Sequence, residues 1–365
     1  MSDLLKQMNK RFGEDAFYTF ADPTKNLVHP IPFSVPSLDY ASGINGAPSG
    51  RIIELYGEPS SGKTTLTLML IKSVQSLQKN KDSFFFGKRA AFIDAECAAS
   101  REHMKAMGVD FDEKDGLLLT EPDSGEQAFD MAEALCESGE VSLIIIDSVA
   151  ALAPKAEVDK DNDYNPVGLQ ARMMSKGLRK LKSVAKRTGT LIVFINQTRV
   201  NAGQMFGNPE TTAGGKALEF YCSMRIRLSR KLITDKKDKI GQTITCEFIK
   251  NKVAAPYGKT EFDYFYTTGV DIYKDIAEMA DRLNIFNKNG SWYYLGDSFK
   301  EPKELSDGTK IKFNGKEQLS AAFRFQPELF MMVNSQVQEA LKPKEHEAPE
   351  DVEDEFVTPP EETLV

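Results

Sequence analysis

Short, continuous apolar runs recur along the chain from Arg51 onward, separated by stretches with helical spacing. They are Arg51–Tyr56, Ala90–Asp94, Leu117–Thr120, Ser142–Asp147 and Leu191–Asn196. None alternates apolar with polar, so each predicts a strand covered on both faces, as in a parallel sheet sandwiched by helices. Strand and helix in turn predict a doubly wound α/β domain. Three later runs, Met224–Leu228, Thr243–Ile249 and Glu261–Tyr266, alternate more, and predict an antiparallel extension of the same sheet.

The flanks read differently. Leu4, Leu5 and Met8 mark a short amphipathic piece, Ala16–Phe20 reads as a strand, and Pro30, Pro32 and Pro36 break regular structure. The expected division is a short N-terminal arm over 1–32, an α/β core over 33–268, and a small α+β C-terminal domain over 269–340 with a strand at Ser291–Tyr294. A disordered acidic tail over 341–365, rich in Pro, Glu and Asp, completes it.

Composition narrows the function classes. The 365 residues are 41% hydrophobic and 27% charged, ordinary for a globular protein. No apolar run reaches the ~18–20 residues of a membrane span, and Met1–Arg11 lacks the apolar stretch of a signal peptide. Four well-separated cysteines without a C-x-x-C pair and three histidines without H-E-x-x-H argue against structural zinc, a disulfide framework or a histidine-built metalloenzyme. A reducing cytoplasm is the expected compartment. The net charge of −8 misleads if taken whole. Glu345–Val365 holds nine acids and no Lys or Arg, which leaves 46 basic against 45 acidic residues, or +1, for the body. A polyanionic partner is therefore open to the body.

Gly57-Glu58-Pro59-Ser60-Ser61-Gly62-Lys63-Thr64, followed by Thr65, fits the P-loop pattern between a predicted strand and a predicted helix. Its backbone N–H groups and the helix N-terminus suit phosphate oxygens. Lys63 is the expected contact of the β and γ phosphates, and the Thr64 hydroxyl the expected ligand of Mg²⁺. Asp147 closes the strand Ser142–Asp147. Alone it is also an ordinary strand-end cap; behind a P-loop it is the acid that orders the water shell of Mg²⁺. Phosphoryl transfer to water also needs a group that orients the attacking water. Glu96 and Asp94, both at the end of the Ala91–Glu96 run, compete for that role.

Ala171–Arg187 contains no acid. Met174, Leu178, Leu181, Val184 and Ala185 fall on one half of a helical wheel, and Arg172, Lys176, Arg179, Lys180, Lys182, Lys186 and Arg187 on the other. Such a stripe is either a solvated face or a phosphate-backbone contact. Two loop-like stretches flank it, Asp159–Gly168 and Thr198–Gly215. The second follows a strand ending in Gln197, placed to sense a γ-phosphate.

Several of these motifs together resemble the bacterial RecA recombinase family: Gly62–Thr65, Phe92–Glu96, Asp147–Leu152, Ala171–Ser175, Phe206–Thr212 and Lys250-Asn251-Lys252. The likeness is strong over Phe33–Tyr266 and weaker near Trp292. It implies a RecA-type P-loop core and an ATP-dependent, DNA-stimulated ATPase that forms helical filaments on single-stranded DNA. It also implies pairing of that strand with homologous duplex DNA and strand exchange, with ATP and Mg²⁺ as cofactors and no membrane partner. By resemblance, Glu96 is the catalytic carboxylate, Asp147 the acid linked to Mg²⁺ through water, and Gln197 the γ-phosphate sensor. Asp159–Gly168 and Thr198–Gly215 match the DNA loops, and Arg172, Ser175, Arg179, Arg199, Gly214 and Gly215 the DNA contacts. Lys250 and Lys252 match lysines that reach a neighbouring subunit's ATP, Phe220 an interface aromatic, and Phe17–Phe20 a strand added to the next subunit's sheet. His103 stands where the family has a tyrosine on adenine, Ser100 where it has an aspartate, and Lys79–Lys88 is an insertion. The competing readings are a ring-forming helicase motor and a non-catalytic, ATP-switched single-strand coat.

Overall fold

A computed structural model describes residues 3–13, 16–19, 27–159, 168–200 and 210–342. The tail beyond Lys342, residues 160–167 and residues 201–209 lie outside the described residues. They take in most of the first predicted DNA loop and half of the second.

The centre is a ten-stranded sheet. Its strands are β1 (Ile52–Gly57), β2 (Arg89–Asp94), β3 (Leu118–Thr120), β4 (Val141–Asp147), β5 (Leu191–Val200), β6 (Glu210–Thr212), β7 (Met224–Asp235), β8 (Asp238–Asn251), β9 (Lys259–Phe265) and β10 (Gly269–Val270). The order is β10-β9-β8-β7-β1-β5-β4-β2-β3, with β6 antiparallel on the end of β5. Strands β7 to β3 of that row run parallel. Strands β8, β9 and β10 are antiparallel additions.

The predicted α/β class with a mainly parallel sheet is therefore observed, with two differences. β7 was expected in the antiparallel extension, yet it lies parallel to β1, and antiparallel pairing begins only with β8. The alternation read from sequence at Met224–Leu228 comes from Arg225 and Arg227, which lie in the buried inner half of the strand and are paired with Glu54 and Glu247. Strand β5 also runs past Gln197 to Val200, into the stretch expected to be loop, because β6 pairs with it.

Alternating side chains of β1 feed two cores. Ile53 and Leu55 pack with Leu66, Leu70 and Val74 of the P-loop helix (Lys63–Leu77). Ile52 faces the other way, toward Phe194, Met174, Leu178 and Leu181. The last three belong to the basic helix (Leu169–Thr188), bounded by Gly168 and Gly189 in left-handed conformation. Full burial of each such side chain contributes about 1.5–3 kcal/mol.

A third core belongs to the C-terminal part. Three short strands, Asn287–Asn289, Trp292–Tyr294 and Lys312–Asn314, pack with helices Ile272–Arg282, Gly315–Phe325 and Pro327–Leu341 around Phe323, Leu319 and Val333. It joins the α/β core through buried polar contacts, including the Ser37 N–H donating to Asp275 at 3.0 Å. At the other end, helix Asp3–Phe12 buries no side chain. Residues 16–19 form no strand within this chain; Asn9 instead holds both backbone polar groups of Phe17, at 2.6 and 3.0 Å. Phe20 lies outside the described residues. In the Lys79–Lys88 insertion Phe85 is buried, while Phe84 and Phe86 remain exposed.

Candidate nucleotide and nucleic-acid site

The P-loop leaves the C-terminal end of β1, at the centre of the sheet. Gly57 is required there by close approach. A Cβ on it would stand 2.1 Å from the Leu228 carbonyl oxygen of the adjacent strand. Gly62 takes φ 98° as the N-cap of the P-loop helix, which lets the loop turn directly into the helix axis. Lys63 folds back over the loop, and its Nζ donates to the Gly57 and Glu58 carbonyls at 3.0 and 2.8 Å. Burial lowers its pKa, while Asp147 and Glu96 pull it back up. The Ser61 hydroxyl is buried without a hydrogen-bond partner among the described residues. An orphaned hydroxyl donor and a buried cation, both in a glycine-bounded loop at a helix N-terminus, fit an anionic phosphate chain.

Opposite Lys63 stand the acids of β2 and β4. Asp147 is pushed up to about 7, first by burial and then by the charges of Glu96 and Asp94, with Lys63 acting against them. A half-buried carboxylate with two acidic neighbours and one cation has room for a second positive charge, which fits the metal expected beside Thr64. Among the described residues no group of three His, Cys, Asp or Glu side chains forms a closed metal cage.

The structure separates Asp94 from Glu96. Asp94 is buried and accepts the Ala99 N–H at 2.7 Å, so it braces the turn after β2. Glu96 is exposed to the crevice. Its Oε1 accepts from the Ser148 hydroxyl and from Gln197 Nε2, the latter at 3.2 Å. Thus β2, β4 and β5 each bring one side chain to the same point. Ser148 was missed by sequence reasoning, although its place directly after Asp147 was a usable signal. Arg230, Gln242, Tyr264 and Tyr266 were missed too. With His103 they line the crevice above Ser60, Thr64 and Thr65. Ser100 caps helix Arg101–Ala106 by accepting the His103 N–H at 3.2 Å.

The seven basic side chains of the Leu169–Thr188 helix are all exposed, but they are not equivalent. Lys180 and Arg187 pair with Glu133 and Glu137 of the neighbouring helix Gly125–Glu137, at 3.3 and 3.0 Å. Among the described residues Arg172 and Arg179 form no ion pair. Gly214 and Gly215 lie against the start of this helix, beside Met174 and Ala171. Arg172, Ser175, Arg179, Gly214 and Gly215 therefore share one region. Arg199 holds a backbone position opposite Thr211.

Lys250 and Lys252 are not brought to the P-loop of their own chain. Lys250 pairs in register with Arg225, and Arg225 with Glu54, three residues upstream of Gly57. That is about 10 Å down the strand at ~3.3 Å per residue, and two strands over. Lys250 Nζ instead caps helix Lys216–Tyr221, donating to the Glu219 and Phe220 carbonyls at 2.5 and 3.3 Å. Phe220 beside it is 68% exposed.

A P-loop at the centre of a parallel sheet, faced by a strand-end acid and an acid–glutamine–serine cluster, defines a nucleotide-binding ATPase core. The RecA N-terminal domain family matches residues 1–271. RecA proteins of three strains of Francisella tularensis, of subspecies novicida, tularensis and holarctica, are each 43% identical over 309 residues, covering 84% of this chain and 83% of theirs. The chain belongs to the RecA family, and is an ATP-dependent DNA recombinase and a DNA-dependent ATPase. Among the described residues no helix is long and apolar enough to cross a membrane.

Proposed function

We propose that this chain assembles head to tail on single-stranded DNA in the cytoplasm, pairs it with homologous duplex DNA and exchanges strands. We also propose that each ATP site is completed by the next subunit. The observation that carries this reading is strand β5. It places Gln197 on Glu96 at one end and runs on through Val200 into the Thr198–Gly215 DNA loop.

Gly57, Glu58, Pro59, Ser60, Ser61, Gly62, Lys63, Thr64 and Thr65 hold the phosphates of ATP, and Thr64 and, through water, Asp147 hold Mg²⁺. When bound, ATP and Mg²⁺ supply the scissile phosphoanhydride and the charge that offsets its oxygens. Glu96 keeps Oε1 tied to Ser148 and Gln197, which fixes the carboxylate plane and presents Oε2 to take a proton from water. Lys63 exchanges its two loop carbonyls for phosphate oxygens. Lys250 and Lys252 act across the interface, where Phe220 packs, as the cations an arginine finger supplies elsewhere. Head-to-tail contacts of this kind build open filaments when the rotation does not close. Arg172, Ser175, Arg179, Arg199, Gly214 and Gly215 contact the strand's phosphates.

The test is strand exchange between circular single-stranded DNA and homologous linear duplex, with ATP, alongside phosphate release. The expected result is joint molecules and DNA-stimulated hydrolysis. Hydrolysis without joint molecules would favour the helicase motor, and DNA coating without hydrolysis the passive coat.

A further inference from the structure

A chain of buried polar groups joins the crevice to the edge that carries Lys250. Gln197, whose side chain reaches Glu96, donates its backbone N–H to Asn196 Oδ1 at 2.9 Å. Asn196 Nδ2 donates to Glu54 Oε1 at 2.8 Å and to the Ala213 carbonyl, the residue before Gly214-Gly215, at 3.0 Å. The other oxygen of Glu54 accepts from Arg225 Nε. Arg225 Nη1 pairs with Glu219 at 3.1 Å, and Glu219 lies in the helix whose carbonyls hold Lys250. Glu54 and Asn196 are 0% exposed and Arg225 8%, so none of the three can trade these partners for water.

Elementary economy of folding does not call for this arrangement. A buried ion pair is usually no more stabilising than apolar residues of the same volume. Here the two residues lie side by side on β1 and β7, with Arg225 over the Tyr56 ring, at positions that apolar side chains could fill. What the polar version adds is connection: three separate elements share one carboxylate.

We propose that Asn196, Glu54 and Arg225 are positioning residues that couple the γ-phosphate sensor to both the exit of the Thr198–Gly215 DNA loop and the helix Lys216–Tyr221. This rests on the function proposed above. A shift of Gln197 and Asn196 changes the hold on Ala213 and on Glu54. Through Arg225 and Glu219 it also changes the orientation of the short helix that bears Phe220 and parks Lys250. The two-state element is that helix, with Lys250 either capping its carbonyls or turned toward a neighbouring subunit. None of the three residues touches nucleotide or DNA in this scheme.

The decisive variant is Glu54→Leu/Arg225→Met, which removes both charges together and fills their volume, so the fold is expected to survive. Glu54→Gln is the isosteric second variant. It keeps the shape and sets one amide N–H against a donor, breaking one link. The readout is the affinity for a labelled oligothymidine with and without the slowly hydrolysed analogue ATPγS, together with ATPase kcat and KM and a thermal melt. Wild type is expected to bind DNA about 10–100-fold more tightly with the analogue, a usual coupling range. The double variant should show under about 3-fold tightening and Glu54→Gln an intermediate value, with DNA-independent KM for ATP unchanged. A purely structural role would lower the melting temperature and leave the tightening ratio as in wild type, which would overturn the proposal. Should the double variant not fold, a wild-type ratio in folded Glu54→Gln overturns it equally. If wild type itself shows no tightening, it is the functional reading that fails.

Discussion

At the C-terminal end of β1 the charged groups find one another inside the chain: Lys63 on loop carbonyls and near Asp147, and Glu96 on Ser148 and Gln197. At the edge two strands away the same chain leaves its business unfinished. Lys250 caps a six-residue helix beside an exposed Phe220, and Lys252 lies next to it. The first region is built to hold an anion with no help. The second has an exposed ring and a lysine resting only on helix carbonyls. Under the function proposed above, such a site is completed by repetition of the chain, and assembly and hydrolysis become one event seen from two sides.

The largest effect is expected from breaking the self-sufficient end. Lys63→Ala removes the cation aimed at the phosphates and leaves Arg172 and Arg179 untouched. Nucleotide-dependent filament formation should disappear, while weak, salt-sensitive DNA binding remains. Normal DNA-stimulated phosphate release by this variant would show that the P-loop assignment is wrong.

Next comes a test of the division itself. Glu96→Ala and Lys252→Ala should each be nearly inactive alone. In an equal mixture, random assembly should rebuild about one intact site in four, since each side of an interface has a half chance of being sound. DNA-dependent hydrolysis should return to about that fraction. Activity staying at the single-variant level in filaments shown to be mixed would place the lysines in their own subunit's site.

A smaller change sharpens the edge. Phe220→Ala removes a ring that is 68% exposed in the single chain, so the melting temperature of dilute, unassembled protein should hardly move. Assembly should weaken by an aromatic anchor's contribution, about 2 kcal/mol or roughly 30-fold in the concentration needed, read by light scattering. Equal loss of monomer stability would mean that the ring serves the core.

These regions were unequally legible in the sequence. The P-loop, Asp147 and the strands β1, β2, β4 and β5 could be read because each is a local pattern: an uninterrupted apolar run, then a residue whose chemistry needs that strand end. Alternation in β7 reports Arg225 and Arg227, whose charges are met by Glu54 and Glu247, and carries no information on which strand it joins. Ser148, Arg230 and the Tyr264–Tyr266 strand end reach the crevice from separate elements, by pairings that span from 52 to more than 150 residues, as in Ser148 on Glu96 and Tyr264 on Met107. Asp94 and Glu96 were indistinguishable until the Ala99 N–H claimed one of them.

The smallest effect is expected far from both ends, and serves as their control. Asp39 and Asp275 lie buried where helix Pro36–Ser42 meets helix Ile272–Arg282. Burial pushes Asp39 up to about 8, against the pull of the Phe33 N–H that it accepts at 2.6 Å and with the charge of Asp275 adding to it. Burial pushes Asp275 up to about 6, against the Ser37 N–H. In the unfolded chain both release their protons near pH 4. Between pH 4 and 8 the folded chain therefore binds more protons, so their contribution to stability is complete below pH 4 and is lost as pH rises toward 8. Between pH 6 and 8 the slope belongs to Asp39. Asp39→Asn keeps an oxygen for the Phe33 N–H and removes the proton. Its melting temperature should match wild type near pH 5 and exceed it by several degrees at pH 8, since each pH unit over which only the folded wild type holds the proton costs wild type about 1.4 kcal/mol. Mixed-filament complementation and DNA affinity should stay as in wild type. A melting-temperature profile parallel to wild type from pH 5 to 8 would mean that the carboxylate ionises freely in the folded chain.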